Sequence, residues 1–172
     1  VRFTFFLSRY RPKAKSYKNI LLVKFWGIGN VIMLLPAARA LKKAYPDAQI
    51  DFLTLSGNKE VALLSGIFND VYTLDITSAL RFAFKCLTTI FVLRKRGYDL
   101  IVDFEQFARF SALYCAFIAS KDTVGFGTRN QHRHFLYRRH VTYNNAIHTT
   151  KSFYNLAELL QAEHQEHLEP VR

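Results

Sequence analysis

Short apolar runs alternate with longer segments of helical period along most of the chain from residue 19 onward. The short runs are rich in β-branched residues, and the longer segments place apolar side chains at every third or fourth position. The predicted strands are residues 20–25, 49–54, 70–74, 98–104 and 123–126, and the predicted helices are residues 31–44, 58–64, 78–96, 107–119 and 151–161. This alternation predicts an α/β fold, a Rossmann-like parallel sheet with helices on both faces.

The long helix predicted at residues 78–96 has many apolar residues and a strongly basic composition. We expect four apolar side chains to face the core, namely Leu80, Ala83, Leu87 and Ile90. We expect the basic side chains to lie outside, namely Arg81, Lys85, Arg94, Lys95 and Arg96. The phenylalanines of this helix, Phe82, Phe84 and Phe91, are expected to belong to the core or to a surface that packs on another helix.

The 172-residue chain carries 24 Lys and Arg against 13 Asp and Glu, a net charge of +11, and half of its residues are hydrophobic. This composition indicates one folded domain, or a large piece of a bigger protein, and excludes a disordered basic tail. The longest uncharged stretch, residues 25–38, contains two glycines and a proline and is too short to span a bilayer. Cys86 and Cys115 lack the spacing of a disulfide or zinc framework, which favours a reducing cytosol.

The chain divides into three predicted regions: a basic leader at residues 1–18, a Rossmann-like domain at residues 19–161, and the start of a linker at residues 162–172. In the leader, an acid-free basic run follows a small aromatic patch, Phe3, Phe5 and Phe6. Such a segment suits an anionic membrane face, and a solvated leader is the alternative. The tail is rich in glutamate and resembles the beginning of a linker to a further domain.

The loop at residues 26–30 joins the first predicted strand to the first predicted helix. Ligands of parallel α/β sheets bind beyond the carboxyl ends of the strands, so this loop is the leading candidate for a site. Gly27 and Gly29 allow a tight turn, and backbone N–H groups at a helix start attract anionic or polyhydroxyl ligands. Asn30 is expected to cap the helix. A dinucleotide fingerprint is absent because Ile32 stands where GxGxxG needs glycine or alanine, so an NAD-linked enzyme is disfavoured.

Three stretches of the sequence resemble glycosyltransferase family 9, the lipopolysaccharide heptosyltransferases. The first is residues 20–31, followed by Leu35-Pro36-Ala37 and the run at residues 45–50. The second is the run at residues 98–103 with Arg109 and residues 111–113, and the third runs from Gly125-Phe126 through the basic stretch to Arg139 and His148. The resemblance covers residues 18–160 in order and implies the N-terminal, acceptor-binding half of a two-domain GT-B enzyme.

The resemblance implies an inverting transfer of a heptose or related sugar from a nucleotide-diphosphate donor to a lipopolysaccharide-core or other lipid-linked acceptor. The family's catalytic base is an aspartate at the position where this chain has Asn30. An amide does not accept a proton near neutral pH. Three interpretations follow: another carboxylate at the end of the fourth strand substitutes as the base, Glu105 in preference to Asp103; the acceptor ionises with less help; or the protein is an inactive glycan-binding module.

The remaining candidate site residues are implied to bind the acceptor and its acidic groups: Lys24, Trp26, Gly27, Ile28, Gly29, Arg109, Arg129 and His148. Arg133, Arg138 and Arg139 are further candidates, since arginine grips carboxylate and phosphate in a fork, although a solvated basic face would look the same. No metal is expected, because the histidines lack partner ligands at zinc spacing.

The predicted partners are a lipid-linked glycan acceptor, a nucleotide-diphosphate sugar bound by a further domain, and an anionic membrane surface. No cofactor is expected beyond this donor, which is a co-substrate. The implied location is cytoplasmic, peripheral to the inner membrane. Nucleic acid is not an expected partner, because the sequence has neither a recognition-helix signature nor aromatic residues interleaved on a basic strand.

Overall fold

A computed structural model describes the backbone of residues 16–165 and the side chains of residues 16–161. Its centre is one six-stranded sheet in which every neighbouring pair of strands runs parallel. The strands are β1 Asn19–Val23, β2 Gln49–Leu55, β3 Val71–Leu74, β4 Leu100–Asp103, β5 Asp122–Gly127 and β6 Arg139–Thr142. Their order across the sheet is β3-β2-β1-β4-β5-β6.

A helix follows each of the strands β1, β2, β3, β4 and β6, and the helices cover both faces of the sheet. They are α1 Ile28–Ala44, α2 Lys59–Leu64, α3 Ala79–Arg96, α4 Arg109–Ile118 and α5 Thr149–Gln165, with short 3₁₀ turns at Ser56–Asn58 and Arg133–Leu136. The predicted α/β Rossmann-like fold is therefore confirmed.

Alternation along β1 explains the two cores. Ile20 and Leu22 point into one core with α1, α2 and α5, whereas Leu21 and Val23 point into a second core with α3 and α4. All four side chains are completely buried. A strand buried on both faces needs a continuous apolar run, which is what this segment supplies.

Strand β6 was not predicted. Its sequence, Arg-His-Val-Thr, has no apolar run, and its side chains alternate between half-buried and exposed because it forms the edge of the sheet. The basic stretch that follows Gly125-Phe126, in which no strand was predicted, therefore ends in a strand that begins at Arg139. Arg138 and Arg139 lie at the amino end of the sheet, where Arg139 Nη2 pairs with Asp122 Oδ2 at 2.6 Å, away from the edge where ligands of such folds bind.

The predicted inner face of α3 is wrong for Leu80, Ala83 and Leu87 and correct for Ile90, which packs against the second core. Cys86, Thr89 and Leu93 are the buried residues, while Leu80 and Leu87 are 85% and 69% exposed. The helix carries apolar side chains on two opposite sides, so periodicity alone could not identify the side that faces the sheet.

The folded domain extends beyond both of its predicted boundaries, residues 19 and 161. Tyr17, assigned to the leader, is 7% exposed and its hydroxyl donates to Asp122 Oδ2 at 2.7 Å, so the folded domain begins earlier than residue 19. Helix α5 continues to Gln165, past the predicted linker start at residue 162. Residues 1–15, with the rest of the predicted leader, and residues 166–172, with most of the predicted linker, lie outside the described residues.

Candidate functional site

The strand order reverses between β1 and β4, because β2 follows β1 on one side and β4 lies on the other. In open α/β sheets, ligands bind in the crevice beyond the carboxyl ends of the strands at such a point. The two loops that leave this crevice are residues 24–27 after β1 and residues 104–108 after β4. Both contain residues that the sequence singled out.

The loop after β1 is buried at Lys24 and Phe25, becomes exposed at Trp26 and turns sharply into α1. Trp26 and Ile28 are 42% and 52% exposed, and Gly27 has a φ of 86°, a conformation that favours glycine. Helix α1 begins at Ile28 without a hydrogen bond from a side-chain cap. Because α1 starts beyond the carboxyl end of β1, its first backbone N–H groups lie beside the crevice, where a helix start favours an anionic or hydroxyl-bearing ligand.

Asn30 does not cap the helix as predicted, since α1 begins two residues before it and the cap position is Gly27. Its side-chain amide instead donates to the carbonyl of Trp26 at 3.4 Å. A Cβ on Gly27 would meet this amide nitrogen at 2.8 Å, whereas a Cβ on Gly29 would meet nothing within 4 Å. Gly27 is needed for the turn itself, and no contact within the described chain explains the glycine at position 29.

Glu105 stabilises the loop after β1 through hydrogen bonds to its backbone. Its Oε1 accepts the backbone N–H groups of Phe25 and Trp26 at 2.7 and 2.9 Å, and its Oε2 pairs with Lys24 Nζ at 3.0 Å. The residue is 4% exposed. Glu105 thus lies beside the loop, but both oxygens are engaged, a geometry that suits positioning better than proton transfer.

Lys24 points down into the protein and not into the crevice. It is 1% exposed, and its ammonium also donates to Gln106 Oε1 at 3.1 Å. Burial lowers the pKa of this lysine, while the carboxylate of Glu105 opposes that shift. The prediction that Lys24 contacts the acceptor directly is therefore wrong. Its ammonium binds Glu105 and Gln106, the residues beneath the loop.

A second buried ion pair supports Glu105 from the end of β4, the strand that Glu105 follows. Asp103 Oδ1 accepts the backbone N–H of Glu105 at 2.9 Å, and Asp103 Oδ2 accepts from Arg133 Nη2 at 2.9 Å and from the Tyr137 hydroxyl at 2.6 Å. Burial raises the pKa of the Asp103 carboxyl, although the Arg133 charge opposes this shift. Arg133 is 1% exposed and does not reach a ligand, which corrects its assignment as an acceptor contact.

A cleft of about 640 Å³ opens where β5 and β6 end, beside the loop after β4. Its lining combines aromatic, amide, hydroxyl and basic groups: Phe107, Thr128, Arg129, Gln131, Thr142, Tyr143, Asn144, Asn145 and Ala146. Phe107 and Tyr143 meet edge to face with ring centroids 5.3 Å apart. Such a lining suits a polar ligand with apolar C–H faces, such as a sugar. Arg129 is the predicted site residue that the structure places here.

Arg109 and His148 flank the same edge of the sheet. Arg109 is exposed at the start of α4, and its Nη2 donates to the carbonyl of Asn130 at 3.2 Å. His148 is exposed just before α5, and its Nδ1 accepts the backbone N–H of Thr150 at 3.3 Å. The structure places Trp26 and Gly27 on the loop as predicted and places Ile28 and Gly29 in the first turn of α1, and all four residues are exposed. Their contacts with a ligand stay predictions.

Sequence reasoning missed Gln106, Tyr137, Phe107 and Tyr143. The sequence held a usable signal for Gln106, because this polar residue directly follows Glu105 in the loop after the fourth strand. Tyr137 and Tyr143 lie near β6, and their roles could not be inferred without that strand.

Comparison with known proteins agrees with the fold. No protein-family model and no curated protein matches the chain. Among solved structures, it is similar to E. coli heptosyltransferase WaaC with ADP-2-deoxy-2-fluoro heptose, with a TM-score of 0.70 at 19% identity over 90% of this chain and 50% of that one. It is also similar to a glycosyl transferase family 9 structure from Veillonella parvula, with a TM-score of 0.75 at 16% identity over 86% of this chain and 42% of that one.

A third similar structure is E. coli ADP-heptose lps heptosyltransferase II, with a TM-score of 0.66 at 18% identity. The chain covers 81% of its own length in that match and 40% of the neighbour's. The chain thus spans about half the length of the structures it matches. These likenesses confirm a fold of the heptosyltransferase kind, as found in part of GT-B glycosyltransferases.

Two further observations concern the described part of the chain. Within residues 16–165, no helix has both the length and the apolar character to cross a membrane. Over the same residues, no three or more His, Cys, Asp or Glu side chains are grouped to hold a metal ion.

Proposed function

We propose that this chain is the acceptor-binding half of a family 9 glycosyltransferase. The protein would transfer a heptose or related sugar from a nucleotide diphosphate to a lipopolysaccharide-core or other lipid-linked glycan. The observation that carries the proposal is the exposed 26–30 loop at the reversal point of the sheet, supported by the buried Glu105–Lys24 pair. The fold it shares with solved heptosyltransferases supports the same proposal.

The cleft beside β6 is the place proposed for the acceptor sugars. Phe107 and Tyr143 offer ring surfaces to the C–H faces of a sugar, and the amides of Gln131, Asn144 and Asn145 offer partners for its hydroxyls. Arg129 lines the cleft and Arg109 stands near it, so acidic groups on the acceptor would meet guanidinium partners.

The proposed reaction forms a bond between an acceptor hydroxyl oxygen and the anomeric carbon of the donor. The bond from that carbon to the nucleoside diphosphate breaks, so the configuration inverts and the diphosphate leaves. The hydroxyl proton passes to a base. Asn30 lies in the first turn of α1, at the edge of the crevice, but its amide does not take up the proton.

The donor would be bound by a further domain, as the resemblance implies, and needs no cofactor besides the nucleotide sugar itself. Heptosyltransferase WaaC has been solved with ADP and with a fluorinated ADP-heptose, which makes a nucleotide heptose the first donor to try. A lipid-linked acceptor would place the protein at the cytoplasmic face of the inner membrane, as a peripheral protein.

Trp26 supplies a direct binding test, because it is the chain's one tryptophan and lies 42% exposed on the loop. We expect a phosphorylated core oligosaccharide to change its fluorescence saturably, and Arg129→Met to weaken that binding about tenfold through loss of a charge-assisted hydrogen bond. Arg39→Met, on the exposed face of α1, is the control and should bind as the parent does. An unchanged Trp26 signal at saturating oligosaccharide would contradict the proposal.

The competing candidate is an inactive glycan-binding module, and Asn30 is the observation that favours it. The two are separated by assaying transfer from nucleotide heptoses with the complete translated reading frame, alongside Asn30→Asp. Transfer by the parent supports the enzyme. Transfer that begins only with Asn30→Asp supports a module that binds glycan and has lost its base. Loss of transfer in Glu105→Gln with glycan binding retained would show that transfer depends on Glu105, either as the substitute base or as the group that positions the loop.

A further inference from the structure

Helix α3 carries a second apolar stripe on the side that faces away from the sheet. Leu80, Phe84, Leu87 and Phe91 are 85%, 71%, 69% and 60% exposed. At 3.6 residues per turn these four positions fall within about 60° of the helix circumference and run about 16 Å along it. The buried residues of α3 lie on the opposite side. A surface of this length and apolar character is uncommon on a monomer and indicates an interaction site.

Basic side chains border this stripe, and helix α3 has five of them and no acidic residue. Arg96 is used within the domain, where it pairs with Asp70 at 2.6 Å. Arg81, Lys85 and Lys95 are exposed, and none of the ion pairs described for residues 16–161 involves them. Lys95 holds its ammonium 4.4 Å from the ring centroid of Phe91, so its charge lies at the rim of the apolar stripe.

We propose that the exposed stripe of α3 lies on an anionic phospholipid surface. Phe84, Phe91 and the two leucines would enter the boundary between headgroups and acyl chains, while the basic rim would meet the lipid phosphates. This inference rests on the proposed function only because a lipid-linked acceptor would be located in a membrane. It goes further by naming the surface, which is separate from the predicted leader.

Charge complementarity selects lipid over the other occupants. A second copy docked stripe to stripe would bring two acid-free basic helices together, which costs binding energy. Nucleic acid would engage the basic rim and leave the apolar stripe in water. An anionic bilayer satisfies both features at once.

The position of α3 connects this surface to the site. The helix begins after β3, at the carboxyl edge of the sheet, where the 26–30 loop also lies. Phe82 of α3 lies 5.6 Å from Phe110 of α4, and Phe110 lies 6.3 Å from Trp26, measured between ring centroids. An aromatic bridge therefore links the helix to the loop, so a bilayer against α3 would hold a lipid-linked glycan near the crevice.

The test is cosedimentation of the whole chain with vesicles of phosphatidylcholine, or of phosphatidylcholine and phosphatidylglycerol in equal parts, without donor or acceptor. The apolar variant is Phe84→Ser with Leu87→Ser, and its matched control is Phe135→Ser with Leu64→Ser, which are 77% and 86% exposed elsewhere. We expect the apolar variant to lower partition into anionic vesicles about tenfold or more and the control to keep it. Equal binding by variant and control would overturn the proposal.

The charge variant replaces Arg81, Lys85 and Lys95 with glutamine. Its control replaces Arg39, Lys43 and Lys59, which are exposed on α1 and α2, so both carry the same net charge. The α3 variant should lose about tenfold or more in partition while the control loses little. Equal losses of partition in the two variants would show that vesicle binding depends on the net charge of the protein and not on α3, and would overturn the proposal.

Two further outcomes would also overturn the proposal. One is binding that is lost when Arg9, Arg11 and Lys13 are changed to glutamine but is kept by both α3 variants. The other is a parent dimer, measured by sedimentation velocity, that the apolar variant converts to a monomer. Since no sugar is present, a failure here leaves glycan binding and transfer untouched, and a failure of the proposed function leaves vesicle partition untouched.

Discussion

Replacing Glu105 with glutamine should destabilise the protein through the buried lysine next to it. Glutamine keeps a carbonyl oxygen that can accept the two loop N–H groups, but it presents no charge to Lys24 Nζ, which lies 3.0 Å from Glu105 Oε2. The lysine is 1% exposed, so its charge would be left in the interior without an anionic partner. Removing one partner of a buried ion pair typically costs about 3 to 5 kcal/mol.

Urea unfolding followed by circular dichroism measures this cost. With a slope of about 2 kcal/mol per molar urea, a loss of about 3 kcal/mol lowers the midpoint by about 1.5 M. Adding Lys24→Met should restore part of the loss, because the double variant buries no unpaired charge. The coupling energy of this double-mutant cycle should exceed about 1 kcal/mol.

The exposed pair between Lys151 and Glu158, 3.3 Å apart on α5, supplies the control. Glu158→Gln should cost no more than about 1 kcal/mol, because solvent screens a surface pair. The reasoning is refuted if Glu105→Gln unfolds at the same urea concentration as Glu158→Gln, or if the double variant is no more stable than Glu105→Gln alone.

Four further predictions concern the loop, its buried support and the cleft. Gly29→Ala should leave thermal stability equal or higher, since a Cβ there meets nothing within 4 Å, yet it should weaken oligosaccharide binding measured by Trp26 fluorescence. Gly27→Ala should lower the free energy of unfolding by about 1 kcal/mol or more, because its φ is 86°, and urea titration measures the loss. Lys24→Met tests a pH effect, because burial holds the folded-state pKa of Lys24 below its ordinary 10.5. Between the folded-state pKa and 10.5, the unfolded chain binds more protons than the folded one. The parent should therefore gain stability relative to the variant as pH rises toward 10.5. Urea titrations of both proteins across that range give this difference, and a difference that falls with pH would contradict the assignment. Arg133→Met should cost about 3 kcal/mol or more by leaving a buried carboxylate unpaired, whereas Arg129→Met at the exposed cleft should change stability by less than about 0.5 kcal/mol in the same assay.

The fold could be predicted from the sequence where each element faces a single environment. Strand β1 is buried on both sides and reads as one apolar run, and α1 has one buried face with Val31, Leu34 and Leu41. Strand β6 could not be predicted, because an edge strand with half of its side chains in solvent has no apolar run. The orientation of α3 could not be predicted either, since its two apolar sides compete for the core and only packing decides between them.

The candidate site could be predicted in position but not in detail. Parallel strands place their carboxyl ends at one edge, so the loops at residues 26–30 and 104–108 had to meet. The direction of individual side chains depends on burial that the sequence does not show. Lys24 and Arg133 look like ligand-binding cations in the sequence, yet each neutralises a buried carboxylate beneath the loop.

The central claim is that the 26–30 loop forms a wall of a glycan-binding crevice. Its most direct test is the backbone amide NMR spectrum of the chain during titration with a phosphorylated lipopolysaccharide-core oligosaccharide. We predict saturable shifts of the Gly27, Ile28 and Gly29 amides together with those of the cleft residues Arg129 and Asn144. Shifts confined to the opposite edge of the sheet, around Arg138 and Arg139, or no saturable shift in any amide, would contradict the claim.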